Sequence, residues 1–197
     1  KLFDHIPDEE LQLIDMTQKM FSDPVLRVDI PRVQEELEKE VGGKAAALLR
    51  SGASVEDLMS NEKFAELLRR AGVTPPMKIS PSTGKLTYAF AKSDLDFQTL
   101  LQHSNKQVAA LAGARLKVKS TIGETRAVRF LEAGKNGMRL PILLNYSGAH
   151  THRWSGGNKM NLQNLKRGGE LRRAILAPKG HVIVVADSAQ IEARVLA

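Results

Sequence analysis

The sequence predicts an α+β fold, with helices over the first two thirds of the chain and the start of a sheet near its end. Two observations predict it. From residue 8 to residue 131, apolar side chains recur about one helical turn apart, between capping residues and glycines. After residue 142 the apolar runs become short, the clearest being Val182-Ile-Val-Val-Ala186.

Residues 8–20 read as a helix with Leu11, Ile14 and Met20 facing inward. Val25–Val28 reads as extended, and Pro31 suits the first position of a helix running from Pro31 to Arg50. Gly42-Gly43 weakens or breaks its middle. Ser54 opens a segment with Phe64, Leu67 and Leu68 as its apolar stripe, ending at Gly72. Pro75, Pro76, Pro81 and Gly84 mark residues 73–87 as a loop or irregular link.

Ser93 followed by Asp96 opens a helix through Leu101. Further helices are expected from Asn105 to Leu116 and from Thr121 to Leu131, the last ended by Gly134. Ile142–Leu144 with Tyr146 is strand-like, and a Gly/Ser/Asn-rich passage follows to Asn164. Leu171–Leu176 reads as a short helix. Pro178-Lys-Gly180 turns the chain into a strand over Val182–Ala186, expected to be buried and central. Boundaries near residues 92 and 137 divide the chain into 1–92, 93–137 and 138–197. No internal repeat is present.

The chain has 197 residues and is 42% hydrophobic, which excludes disorder as the default reading. No apolar run approaches the roughly 20 residues that span a bilayer, so no membrane partner is expected. The start is acidic and unlike a signal peptide. The absence of cysteine removes disulfides and thiolate metal sites, which fits a reducing compartment. Charge is asymmetric. Residues 1–50 carry seven basic and eleven acidic side chains, residues 101–150 eight and two, and residues 151–197 eight and three. A one-sided basic field suits a polyanion, although a solvated basic surface looks the same at this level.

Several residues are suited to chemistry. Asp187 follows five apolar residues, where a carboxylate serves either as a hard-cation ligand or as a turn or helix cap. Glu192 lies five residues on and either ligates or occludes. Residues 150–165 gather Arg153, Lys159, Asn161, Gln163 and Asn164. Arginine and amides reach minor-groove acceptors, and Gly156-Gly157 permits close approach to a backbone. These glycines do not form a Walker A loop, since no Gly-Lys-Ser/Thr follows. His150 and His152 lack a third zinc ligand. Lys117, Lys119, Ser120 and Thr121 make either a phosphate contact or an ordinary capped helix start.

Taken together, these segments are more specific. Asp187-Ser-Ala-Gln-Ile-Glu-Ala-Arg194 resembles catalytic motif A of the family A DNA polymerases, Asp-Tyr-Ser-Gln-Ile-Glu-Leu-Arg. Upstream, Thr151-His-Arg-Trp-Ser155 and Asn161-Leu-Gln-Asn-Leu165 resemble that family's Thr-Gly-Arg-Leu-Ser-Ser and Asn-Leu-Gln-Asn-Ile-Pro, in the same order and spacing. Leu116-Lys-Val-Lys-Ser-Thr121 looks like its thumb segment. Ala89-Phe-Ala-Lys-Ser-Asp94 has the character of bacteriophage members. The resemblance is strong from about residue 115 onward and extends plausibly back to residue 10.

The resemblance implies a helical thumb and the start of the antiparallel palm sheet of a right-hand polymerase. Its activity would be template-directed, Mg²⁺-dependent addition of dNMP to a primer 3′-hydroxyl. Asp187 would hold two Mg²⁺ ions, with the Ser188 carbonyl contributing, and Glu192 would exclude a ribose 2′-hydroxyl. Arg153 would touch the minor groove at the primer terminus, with Asn161, Gln163 and Asn164 along the duplex. Arg167, Arg172 and Arg173 would meet phosphates, and Lys119, Ser120 and Thr121 would lie against the duplex backbone. The implied partners are primer–template DNA and incoming dNTP, and the implied compartment is the host cytoplasm.

Departures are visible. His152 stands where glycine is usual, Ser188 and Ala189 replace Tyr and Ser, and Lys166 replaces a proline. The 197 residues hold no counterpart of the fingers helix or of the His-Asp-Glu segment with the second catalytic carboxylate. The expectation is an incomplete enzyme, inactive until the remaining polymerase segment is supplied in the same or another chain. A non-catalytic duplex-binding module is the main alternative. A single-subunit RNA polymerase fits Gln190-Ile-Glu192 less well, and a nuclease would not need the arginine and amide run.

Overall fold

The computed structural model describes residues 6–135, 137–157, 160–186 and 189–196, with only the main chain of Glu192. The fold is α+β, with helices predominating and three small antiparallel two-stranded sheets among the described residues. The chain divides into two compact units, Glu35–Arg126 and the pair of segments Lys1–Gln34 and Ala127–Ala197. These limits fall elsewhere than the sequence-derived boundaries near 92 and 137, because residues 174–176 return to pair with residues 27–29.

In the unit Glu35–Arg126, helices α3 (Val55–Met59), α4 (Asn61–Arg70), α5 (Leu95–Leu101) and α6 (Lys106–Lys119) surround one core. Leu58, Phe64, Leu68, Phe97, Val108 and Leu111 are buried there. Burial of such side chains stabilises by about 1.5–3 kcal/mol each. Phe64 meets Phe90 edge-on at 4.9 Å, and Tyr88 stacks on Phe90 at the same separation.

The expected single segment from Ser54 to Gly72 is two helices. Ser54 Oγ accepts from the Asp57 N–H at 3.1 Å, and Ser60, in extended conformation, repeats the device for α4 by accepting from Lys63 N–H. Residues 73–87 are not merely a link. Strands β2 (Met77–Ile79) and β3 (Leu86–Tyr88) pair there as a hairpin, so the proline and glycine signals mark its approach and its turn. Helix α5 begins after Asp94 rather than at Ser93, and Asp94 makes no side-chain cap bond to the helix but turns its carboxylate to Ala91 N–H and Lys78 Nζ.

Helix α2 (Ile30–Ser51) runs unbroken through Gly42-Gly43. Beside those glycines, Lys44 pairs with Glu124 at 3.0 Å and Glu40 with Lys117 at 3.9 Å. Helix α6 reaches Lys119, three residues beyond expectation. Helix α7 (Ile122–Gly134) follows at once.

In the other unit, helix α1 (Asp8–Ser22) forms as expected, but Leu11 and Ile14 are only half-buried and Met20 is exposed. Strand β1 (Arg27–Val28) lies between residues 138–140 and strand β6 (Ile175–Leu176). Val28 N–H donates to Met138 O, Leu140 N–H to Leu26 O, and Asp29 N–H to Ala174 O. Val28, Val33, Phe130, Leu140 and Ala174 bury their side chains. Gly134 packs against Ile30, whose Cδ1 would stand 2.2 Å from a β-carbon there and would have to turn aside. The expected helix Leu171–Leu176 is instead one turn, α8 (Glu170–Arg173), running into β6. The strand-like stretch before Tyr146 shrinks to β4 (Leu144–Asn145), paired with β5 (Ser155–Gly156).

Val182–Ala186 does not form the buried central strand that its composition predicts. The segment carries no strand pairing among the described residues, and Val182, Val184 and Val185 are 83%, 83% and 73% exposed. A run of β-branched residues sets a preference for extension, but only a neighbouring strand makes it a sheet.

Candidate nucleic-acid interface

Strands β4 and β5 form a hairpin that carries Arg153 near its tip. Ala149 N–H donates to Arg153 O at 3.1 Å and His152 N–H to Ala149 O at 2.9 Å, closing a tight inner turn. His152 has φ +58° and Ser147 φ +50°, so both occupy the left-handed region without being glycine. Ser147 Oγ and His152 Nδ1 share a hydrogen bond of 2.8 Å. Below them Tyr146 meets Trp154 edge-on at 5.0 Å, which makes Trp154 a packing residue of the hairpin. A hydrogen bond from Tyr146 to Glu10 holds the phenol above its usual range. Arg153 itself is exposed.

The predicted amides lie beside this hairpin. Asn161 caps a 3₁₀ turn over Leu162–Asn164, its Oδ1 accepting from Gln163 N–H at 3.0 Å. One acceptor of Asn161 is thereby committed locally, while Gln163 and Asn164 are exposed. Leu165 is buried and anchors the turn. Gly156 packs directly on Asn161, and Gly157 packs on Leu143. Gly156 therefore brings the Arg153 hairpin and the amide turn together.

Arg167, Arg172 and Arg173 are exposed on the following turn and α8. Glu170 pairs with Arg173 at 3.0 Å and with Arg32 at 2.5 Å, and Arg32 also reaches Asp29. The hydrogen bond from Arg32 holds the Glu170 carboxyl below its usual range. A cavity of about 490 Å³ in the same unit lies among Asp23, Arg27 and Arg139, and contains no sequence-predicted site residue.

In the unit Glu35–Arg126, Lys119 and Ser120 border an open cavity of about 470 Å³. Lys78, Lys92 and Arg115 share its wall, and Tyr88, Phe90, Leu116 and Ile122 supply an apolar lining. Thr121 is exposed just beyond it. Arg115 is 3% exposed and its charge is met by carbonyls and rings. Its guanidinium donates to Leu58 O at 2.7 Å, Ser60 O at 3.2 Å and Asn61 Oδ1 at 2.5 Å, and lies over Phe64 and Phe90 at 4.5 and 4.9 Å. Burial pushes its pKa down.

Sequence reasoning missed Lys78, Lys92 and Arg115 as neighbours of Lys119. Lys78 lies on β2 and Lys92 just beyond β3, so recognition of the hairpin would have found them, whereas Arg115, one turn before Lys119 on α6, is legible from helical spacing alone.

Asp187, Ser188 and Lys159, together with the side chain of Glu192, fall outside the described residues. The main chain of Glu192 belongs to α9 (Ile191–Leu196), where Arg194 N–H donates to Gln190 O at 3.1 Å. Gln190 has φ +54° at the entry to this helix. A carboxylate and a main-chain carbonyl are oxygen donors that fit a hard divalent cation in chemistry. Among the described residues no three His, Asp or Glu side chains gather to hold a metal, and no helix is long and apolar enough to cross a membrane. No protein-family model matches the chain, and no curated protein matches it in sequence.

Proposed function

We propose that this chain is part of a DNA-directed DNA polymerase of the family A type, comprising thumb helices and the beginning of the palm. The observation that carries the reading is the ordered succession of three motifs, Thr151–Ser155, Asn161–Leu165 and Asp187–Arg194. The packing of the Arg153 hairpin on the Asn161–Asn164 turn supports it, because minor-groove contact at a primer end needs arginine and amides on one surface. The basic excess of residues 101–197 agrees with a polyanionic partner.

In this reading Arg153 binds the minor-groove face of the primer terminus, and Gln163 and Asn164 hold the adjoining base pairs in register. Lys119, Ser120 and Thr121 meet the duplex backbone and fix its position without reading sequence. Glu192 excludes a ribose by crowding its 2′-hydroxyl. Asp187 and the Ser188 carbonyl are the chain's oxygen donors to magnesium. When bound, magnesium lowers the pKa of the primer 3′-hydroxyl and neutralises the triphosphate. Without a second carboxylate, the 197 residues alone give no turnover.

Primer extension with Mg²⁺ and dNTPs, assayed on the polypeptide as it occurs in its source, tests the proposal. Template-directed extension that disappears in D187A is the expected result. Extension that survives D187A overturns it, and turnover by a pure 197-residue chain, lost in D187A, overturns the inactivity of the isolated chain alone. The cavity walled by Lys78, Lys92, Arg115 and Lys119 favours one second reading, a duplex-binding module whose salt-sensitive DNA affinity is indifferent to Asp187.

A further inference from the structure

We infer that His152, through its hydrogen bond to Ser147, is a positioning residue that fixes Arg153 for contact with DNA. This inference rests on the polymerase reading of Arg153. Among the described residues, four non-glycine positions have positive φ, namely Met138, Ser147, His152 and Gln190. Two of them are joined to each other, by the 2.8 Å contact between Ser147 Oγ and His152 Nδ1.

The left-handed turn at His152 reverses the chain so that Arg153 O meets Ala149 N–H. Histidine occurs in this region more often than most side chains, whereas a β-branched residue is a true outlier there. Glycine would adopt the same φ without strain but would leave the turn free to open, since it has no side chain to tether. Histidine supplies the conformation and the tether together. The Arg153 main chain is thereby held on both sides, by the Ser147–His152 link before it and by β5, which begins two residues later. An arginine that must reach a base edge gains from such preorganisation.

The test uses the full chain, a fluorescent primer–template duplex at low salt, and a double-mutant cycle. R153A weakens binding. H152V weakens it roughly fivefold or more, the scale set by the strain of a left-handed turn. H152G recovers the turn but not the tether, so it binds better than H152V yet about threefold or more below wild type, and affinity equal to wild type would sink the inference. S147A in the wild-type background gives a smaller loss than H152V. Addition of H152V to R153A has no further effect, which separates positioning from a general structural role. Thermal melting of each variant accompanies the cycle, and the partial recovery in H152G distinguishes loss of the turn from loss of the fold.

If the wild-type chain does not bind, or R153A binds as wild type does, the polymerase reading falls and this inference with it. If R153A is weakened while H152V is not, only the inference falls. An H152V loss that persists undiminished in the R153A background also sinks the inference alone.

Discussion

Gly156 lies so close to Asn161 that a β-carbon on the glycine would stand 2.7 Å from the Asn161 Cα. The neighbour is main chain and has no side-chain rotation to offer. The contact joins the hairpin bearing Arg153 to the turn bearing Gln163 and Asn164.

Substitution of this glycine is therefore expected to separate the two halves of the interface. G156A displaces the Asn161–Asn164 turn and weakens primer–template binding, while the unit Glu35–Arg126 keeps its stability. Amide chemical shifts that move at residues 153–165 and stay fixed at residues 55–118, with reduced affinity, are the expected result. Unchanged affinity would show that the contact has no part in binding.

Arg115 is a structural arginine whose loss removes the bonds to Leu58 O and Asn61 Oδ1, while Ser60 O keeps the Phe64 N–H. R115M keeps the volume but removes the bonds, and lowers unfolding free energy by about 2–4 kcal/mol. R115K recovers little of this, because an ammonium cannot reproduce the planar fork. Urea unfolding monitored by circular dichroism measures both.

The cavity that gathers Lys78, Lys92 and Lys119 predicts an electrostatic contribution to duplex binding. K92A and K119A each weaken affinity for all sequences alike and reduce the salt slope of log K by about 1. Affinity titrated between low and moderate salt, with two unrelated duplexes, checks this. A sequence-dependent loss contradicts backbone contact.

Asp94 ties the β2–β3 hairpin to α5. The hydrogen bond from Lys78 Nζ, and then that from Ala91 N–H, hold its carboxyl below the ordinary 3.8. The unfolded chain therefore binds this proton at higher pH than the folded one. The stabilisation is complete above the ordinary value and fades as pH falls from there through the lowered folded value. D94N should lower the melting temperature at neutral pH by about 2–4 °C and melt together with wild type in strong acid. An equal gap at both extremes would assign the effect to packing instead.

Much of the helical content was legible because each helix carries its own signals. Ser54, Asn105 and the glycines near 72 and 134 mark ends by local chemistry, and the stripe of Phe64 and Leu68 faces a core. The motifs around Arg153 and Asn161 were legible as residue types at fixed spacing. So was the turn at position 152, where the resemblance leads one to expect glycine and histidine adopts a left-handed φ. What failed depended on partners distant in sequence. The β2–β3 hairpin hid under three prolines, Ile175 joined a strand because Val28 was there to receive it, and Val182–Ala186 stayed exposed with no strand beside it among the described residues. The sequence by itself determined where helices begin, which side chains carry charge, and the order of the motifs, since these follow from local bonding and composition. Only the tertiary structure decided that Gly156 would abut Asn161 and that Lys78 and Lys92 would join Lys119, because close approach is fixed by excluded volume and burial between segments that no local pattern connects.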